Sequence, residues 1–558
     1  MEYNIADLFE AVGDAVPDRV AVVAGATRLT YAELEARANR LAHGLADHGT
    51  GPGDHVGCYL HNEAEHLETM LAAYKLRAVP INVNYRYVDA ELEHLFADAG
   101  LAALVYGAEF RSHVTAVAPR IGSLRVVIEV TVPGAPPAPA NVARIPGTLD
   151  YEPLLAASSS TRVGGPRSGD DRYILYTGGT TGWPKGVVWR QEDIIFTALG
   201  GGNAGGPPLT RPEDIAAAVI ENRAQRVGPL LPPGHPGPDR FVNFGLGPLM
   251  HAGGQWSALG TLLGGATCVL DPDRHLDLAR VLDLVERERV VALNLVGDAN
   301  ARPLADILDT RPGAWDLSSL LLIGSGGSML SADVKQRLLD AIPSVLGILE
   351  GLGSSESPVQ GIAITRRDTP PAALAFAARD TTVVLDDDLR PVAPGSGVVG
   401  RMATTGRIPI GYHNDPEKSA STFVTVDGVR YALPGDMATV DGDGTLRLLG
   451  RGSLCINTGG EKVYPEEVEA ALKSHPGVAD AVVVGVPDAT WGERVAAVVE
   501  PEDPAAPPTL ADLDRHCRAH VAGYKVPRVL VVVGSVTRTA AGKPDYRWAQ
   551  ATAIGACA

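Results

Sequence analysis

A loop built from glycine, threonine and one lysine, Thr177-Gly178-Gly179-Thr180-Thr181-Gly182-Trp183-Pro184-Lys185-Gly186, follows directly on the apolar stretch Tyr173-Ile174-Leu175-Tyr176. Glycines let backbone N–H groups converge on an anion, threonine hydroxyls add donors and a lysine adds charge, so the chemistry on offer is phosphate binding. The spacing is not that of a GxxxxGK[ST] nucleotide loop, because Lys185 lies between Pro184 and Gly186. Further on, Gly351-Leu352-Gly353-Ser354-Ser355-Glu356 ends in a carboxylate, the hard oxygen ligand that Mg²⁺ takes when it shares its shell with phosphates. Taken singly, each segment reads as well in a bland way. The first is then a flexible hairpin, the second a turn or helix cap, Gly324-Ser325-Gly326-Gly327 a tight turn, and Lys543 a solvated charge.

Taken together, and in this order, these segments resemble the adenylate-forming superfamily of acyl-CoA synthetases, peptide-synthetase adenylation domains and luciferases. The resemblance runs from the Asp7-Leu8-Phe9 opening to Trp548. It implies that residues 177–182 and Lys185 hold ATP phosphates, that Ser354 and Ser355 meet the nucleotide, and that Glu356 holds Mg²⁺. It further implies that Ser325, Gly326 and Gly327 pack against the adenine and that Gly351, Leu352 and Gly353 also belong to the nucleotide site. Gly435-Asp436 and Gly450-Arg451 match the aspartate that accepts the ribose hydroxyls and the arginine that reaches the nucleotide. Thr539-Ala540-Ala541-Gly542-Lys543-Pro544 matches the loop carrying the adenylation lysine, and on this resemblance Lys543, Lys185 and Glu356 are the catalytic set.

The implied reaction is attack of a carboxylate on the α-phosphorus of ATP. Pyrophosphate leaves, and the protein screens charge on the crowded phosphorus. The acyl-AMP then meets a thiol. The resemblance implies a hinge at Ser453 and a Gly459-Gly460 wall beside the pantetheine arm of CoA, where absent side chains leave a narrow passage. The wider pattern, with Pro248-Leu249-Met250-His251 and Gly459-Gly460-Glu461-Lys462-Val463-Tyr464-Pro465, is most like fatty-acid and steroid-side-chain CoA ligases. His251, Trp256 and Gly353 are candidates for the acid pocket, although a histidine or tryptophan in so large a body also serves in packing. Leu352, Glu350 and Ser357-Pro358 depart from the family's usual residues, so a second reading stays open. In it the oxyacid is nitrite, the acceptor an aryl amine, and CoA is not used. A non-catalytic nucleotide-binding protein is a distant third reading, disfavoured because Lys543 is present.

The elements that must position these residues are those of an α/β chain. At 558 residues the chain is too long for one core, and the size prior suggests roughly three to four structural units. Thr30-Tyr31-Ala32-Glu33 is a capping box opening a helix with Leu34, Ala38, Leu41 and Leu45 on one face, closed at Gly49. Strand-like runs at 55–60, 102–106 and 126–130 alternate with helical segments, the mark of layered sheets covered by helices. Pro-, Gly-, Ala- and Ser-rich stretches at 132–169 and 200–239 read as loops. After Arg451 the texture changes to a small α+β unit, with a helix at 465–474 and strands at 479–486 and 528–533. The expected organisation is an N-terminal adenylation body, 1–450, and a mobile C-terminal lid, 451–558.

Composition limits the partners. A net charge of −18 argues against general affinity for nucleic acid or an anionic membrane. Five scattered cysteines, odd in number, favour neither disulfides nor a zinc site. No stretch reaches bilayer-spanning length, and the N-terminus lacks a secretory signal, so a cytoplasmic address is expected. Monomer and homodimer both remain open.

Overall fold

The structure, a computed structural model, describes the chain except for residues 133, 135, 178–182, 204–205, 222–230, 232–236, 329, 370–374, 459–460, 489–491, 522, 540–542 and 558. Side chains at 453, 457, 461, 462 and 492 are also left aside.

The capping box forms as the sequence predicts. Thr30 and Glu33 exchange hydrogen bonds at the start of helix Tyr31–Asp47, and Leu34, Ala38, Leu41 and Leu45 are fully buried. Gly49 takes φ +88° just past the helix, a conformation open to glycine because it has no Cβ. That helix packs against helix Ala64–Lys75 over an all-parallel sheet of five strands, ordered Val79–Asn82, His55–Tyr59, Leu101–Gly107, Val126–Val130 and Leu149–Asp150. The near-continuous apolar runs of these strands follow from burial on both faces.

A second, larger sheet has fifteen strands among the described residues. One part is parallel, in the order Val20–Ala24, Thr267–Leu270, Val242–Gly245, Ala292–Leu295, Leu322–Gly326 and Gly347–Leu352. From Gly361–Thr365 onward it turns antiparallel and reaches the neighbouring strands Asp436–Val440 and Thr445–Arg451. A three-stranded antiparallel sheet, Arg172–Thr177, Lys185–Arg190 and Gly411–Tyr412, forms a separate small sheet. Beyond Arg451, strands Ile456–Thr458, Glu461–Val463, Val478–Asp488, Gly492–Pro501 and Val529–Val532 form a sheet with cores of their own on both faces, covered by helices Pro465–Lys473, Leu510–Cys517 and Tyr546–Cys557.

The two stretches expected to be loops contain more structure than that. Helix Tyr151–Ala157 buries Tyr151 and Leu155, and helix Ile215–Glu221 buries Ile215 and Val219. Each presents one pair of apolar side chains four residues apart, too short a period to stand out against the surrounding Pro and Gly.

Candidate active site

Thr177 and Lys185 are the last pair of an antiparallel hairpin, strand Arg172–Thr177 against Lys185–Arg190. Gly178, Gly179, Thr180, Thr181 and Gly182 fall outside the described residues, so the expectation for them rests on sequence. Gly186 is required by packing, because a Cβ there would stand 2.9 Å from Ile174 Cγ2 and from Tyr176 Cε2. Buried Asn82 fixes the neighbouring backbone. Its Oδ1 accepts the Tyr176 N–H at 2.7 Å, while its Nδ2 donates to the carbonyls of Tyr176 and Met250, each at 2.7 Å. One amide thereby ties the hairpin to the turn before His251. Lys185 is half-exposed and its ammonium bonds Asp415, the N-cap of helix Pro416–Thr422. That bond, followed by a backbone N–H from Lys418, holds the Asp415 carboxyl below its ordinary range.

The carboxyl ends of parallel strands Leu322–Gly326 and Gly347–Leu352 lie side by side, with Ser325 opposite Glu350 and Gly326 opposite Gly351. Carboxyl ends of parallel strands are where open α/β sheets place ligands. Here the ledge is bare backbone. A Cβ at Gly324 would meet Asn294 Oδ1 at 2.1 Å, and one at Gly326 would meet the Gly351 carbonyl at 3.3 Å. Gly327 takes φ +78° and the Ser325 Oγ accepts the Gly297 N–H at 3.2 Å. Asn294 is itself held by Asn243, which bonds Ser257. Glu350 forms a buried ion pair with Lys335; burial raises its pKa, and the lysine opposes that rise.

Past Leu352 the chain folds into a turn closed by mutual backbone bonds between Ser354 and Ser357. Gly353 has no alternative there, since a Cβ would lie 2.2 Å from the Pro358 carbonyl oxygen. Trp189 donates its indole N–H to the Ser355 carbonyl at 3.1 Å, and the Tyr412 hydroxyl donates to Glu356 Oε1 at 2.7 Å.

Asp436 and Arg451 face one another across paired strands, with Nε to Oδ1 at 3.0 Å. Burial works against the Arg451 charge, but Asp436, Glu356 and Glu466 outweigh it and raise its pKa. Lys543 is exposed as a residue, yet its ammonium is crowded by protein. Desolvation and the Arg451 charge lower its pKa, against the pull of Asp436 and Glu356. The structure thus brings Lys543, Glu356, Asp436 and Arg451 into one electrostatic cluster, although Lys543 is separated from the rest by the whole C-terminal sheet in sequence.

His251 is the N-cap of helix Ala252–Leu263, with its Nε2 buried and without a hydrogen-bond partner. Burial, then the charges of Lys543 and Arg86, lower its pKa to about 4, so the ring is neutral near pH 7. Trp256, one turn on, packs against the core. Ser453 lies in the single turn Gly452–Leu454 directly after Arg451, and Gly459 and Gly460 lie outside the described residues. The donor set suits Mg²⁺. Glu356 keeps Oε2 clear of the tyrosine bond, and a carboxylate with substrate phosphates is the usual shell for that ion.

An AMP-binding enzyme profile matches residues 9–409, and the AMP-binding enzyme C-terminal domain profile matches 467–543. The chain belongs to the AMP-binding enzyme family. The medium/long-chain-fatty-acid–CoA/3-oxocholest-4-en-26-oate–CoA ligase of Mycolicibacterium smegmatis is 44% identical over 99% of this chain and 96% of its own length. The 3-oxocholest-4-en-26-oate–CoA ligase of Rhodococcus rhodochrous is 43% identical over 99% of this chain and 96% of its own. In fold, this AMP-binding enzyme matches the crystal structure of the anthranilate CoA ligase AuaEII in complex with anthranoyl-AMP, with a TM-score of 0.82 at 22% identity, covering 100% of this chain and 99% of that one.

Sequence reasoning about this AMP-binding enzyme missed Tyr412, Asp415, Asn82 and Asn294. Asp415-Pro416 was legible as a helix start, but its partner Lys185 lies 230 residues away. Nothing local signals such a contact.

Proposed function

We propose that this chain is an AMP-forming acid–CoA ligase whose acid is a medium- or long-chain fatty acid or a steroid side-chain carboxylate. The observation that carries the reading is the convergence of Lys543, Glu356, Asp436 and Arg451 in a structure that also holds the glycine ledge and the hairpin carrying Lys185. The substrate class follows the names of relatives 43–44% identical over nearly the whole chain.

In this reading Asp436 accepts from the ribose and Arg451 steadies it. The ledge at Gly324–Gly327 and Gly351 admits the flat adenine, and Lys185 with the loop at its end screens the β- and γ-phosphates. Lys543 meets the charge that builds on the α-phosphorus as carboxylate oxygen enters and pyrophosphate leaves, a fixed cation acting where charge develops. Glu356 would hold Mg²⁺, which would supply Lewis-acid polarisation of the phosphate oxygens. Neutral His251 adds no charge beside the incoming carboxylate. The CoA thiol then attacks the acyl carbon and AMP departs. Residues 1–450 form the body and 451–558 a lid that turns about Ser453, bringing Gly459 and Gly460 to the pantetheine arm.

Pyrophosphate release across aliphatic, steroid and aryl acids, with mass spectrometry of the product, tests the proposal. The expected product is a long-chain or steroid acyl-CoA that forms only with ATP and CoA. ADP with phosphate, or a diazo product from nitrite and an aryl amine without CoA, would overturn it.

A further inference from the structure

Glu356 sits on the turn between Leu352 and Gly361, and a short turn gives a carboxylate no fixed direction of its own. Two bonds anchor the turn to the hairpin sheet. The Trp189 indole holds the Ser355 carbonyl, and the Tyr412 hydroxyl reaches Glu356 Oε1 at 2.7 Å. Tyr412 is well placed for this. It pairs with Val187, two residues along the strand from Lys185, and its neighbour His413 donates its N–H to the Gly186 carbonyl at 2.7 Å. Its own N–H goes to Ser419 Oγ at 2.8 Å, and its ring leans on Phe423 with centroids 5.7 Å apart. The register of Gly411–Tyr412 on Lys185–Arg190 therefore sets where Glu356 stands relative to Lys185.

We infer that Tyr412 is a positioning residue for the reaction, holding Glu356 Oε1 so that Oε2 is presented to the divalent cation that accompanies ATP. The inference rests on the role given to Glu356 in the proposed function. A ligating carboxylate with one oxygen already bonded loses rotational freedom before the metal arrives, and removing such an outer partner commonly weakens metal affinity by roughly 10-fold to 100-fold. The hydroxyl also meets the Thr422 side chain, while the ring leans on Phe423.

Equilibrium dialysis of ATP at a series of Mg²⁺ concentrations, on the full chain and on Tyr412→Phe, gives a readout independent of turnover. The expected result is a half-saturating Mg²⁺ concentration raised roughly tenfold in the variant. Metal-free ATP affinity should be unchanged, the apo melting temperature close to that of the parent, and transfer to CoA from supplied acyl-AMP intact. An unchanged Mg²⁺ dependence would overturn the inference. So would equal weakening of ATP binding with and without Mg²⁺, which would mark the hydroxyl as structural. If the parent itself binds ATP without any Mg²⁺ effect, the role of Glu356 fails and this inference falls with it. Pyrophosphate release by the parent then tells separately whether the ligase reading stands.

Discussion

At the scale of single residues, Lys543 works under a constraint that its surroundings impose. Desolvation and Arg451 push its pKa below the ordinary lysine range, while Asp436 and Glu356 pull back without restoring it. The sign is therefore fixed: the free enzyme loses this positive charge as pH rises through the lowered value, sooner than an ordinary lysine would. ATP phosphates, once bound, favour the charged form again. The expected outcome is an alkaline decline in kcat/KM for ATP that is weaker in kcat, since the first reports the free enzyme and the second the loaded one. Lys543→Arg should move the decline in kcat/KM to higher pH even if its maximal rate is lower. Pyrophosphate-release rates across pH on both proteins check this, and an unmoved limb would assign the decline elsewhere. The chemical types of Lys543, Lys185, Glu356, Asp436 and Arg451 were legible in the sequence because each stands in a short motif. The partners Tyr412 and Asp415 were not, because a hydrogen bond across 56 or 230 residues leaves no trace in local spacing.

At the scale of elements, the junction between strand Thr445–Arg451 and helix Pro465–Lys473 is closed by an unusual contact. Gly450, at φ +115°, lies so close to Glu466 that a Cβ would stand 1.8 Å from its Oε2. Glu466 Oε1 accepts the Arg451 N–H at 3.3 Å, while its Oε2 is buried without a partner. Burial foremost, then the charges of Glu469 and Asp436, raises the Glu466 pKa. Arg451 and Tyr546 also face it, the first favouring its charge. A raised carboxyl pKa stabilises the folded state most fully below the ordinary glutamate range, and that stability is lost as pH rises through the raised value. Glu466→Gln, which mimics the protonated form, should melt at a higher temperature than the parent at mildly alkaline pH and near the parent at pH 5. Calorimetric melts at the two pH values test the sign. The helix itself was plain from Pro465 and its apolar spacing, and the observed Pro465–Lys473 agrees. The contact was not, because a glutamate in a first helical turn normally reads as a solvated partner of the helix dipole.

At the scale of the whole molecule, alternating strands and helices foretold an α/β body and the change of texture after Arg451 foretold a small α+β unit. Both are present. Strand order was out of reach. Pairing such as Val20–Ala24 with Thr267–Leu270 joins segments far apart in the chain, and both strands are buried along nearly their whole length. The present arrangement puts Lys543 within electrostatic reach of Glu356 and Asp436, an arrangement that under the proposed function serves adenylation rather than the thiol step. If the lid turns between the two half-reactions, Lys543→Ala should lower pyrophosphate release by roughly a hundredfold or more, the scale of losing one preorganised charge. Transfer from supplied acyl-AMP to CoA should stay within a few-fold of the parent. Rapid-quench assays of each half-reaction measure both, and equal losses would mean that the lid does not move.

Asn294 and Gly324 also constrain how this protein can change over generations. The amide oxygen of one occupies the place where a side chain on the other would begin, at 2.1 Å. A lineage that enlarges position 324 either passes first through a smaller residue at 294 or turns the Asn294 side chain aside, and both release Asn243 from its bond. Enlarging 324 with Asn294 left in place crosses an overpacked intermediate, costing about 1–3 kcal/mol or more, a large share of a domain's total stability. The ledge is therefore inherited as a set, and if His251 and Trp256 line the acid pocket as proposed, divergence in what this enzyme accepts has an easier path there than through the ledge.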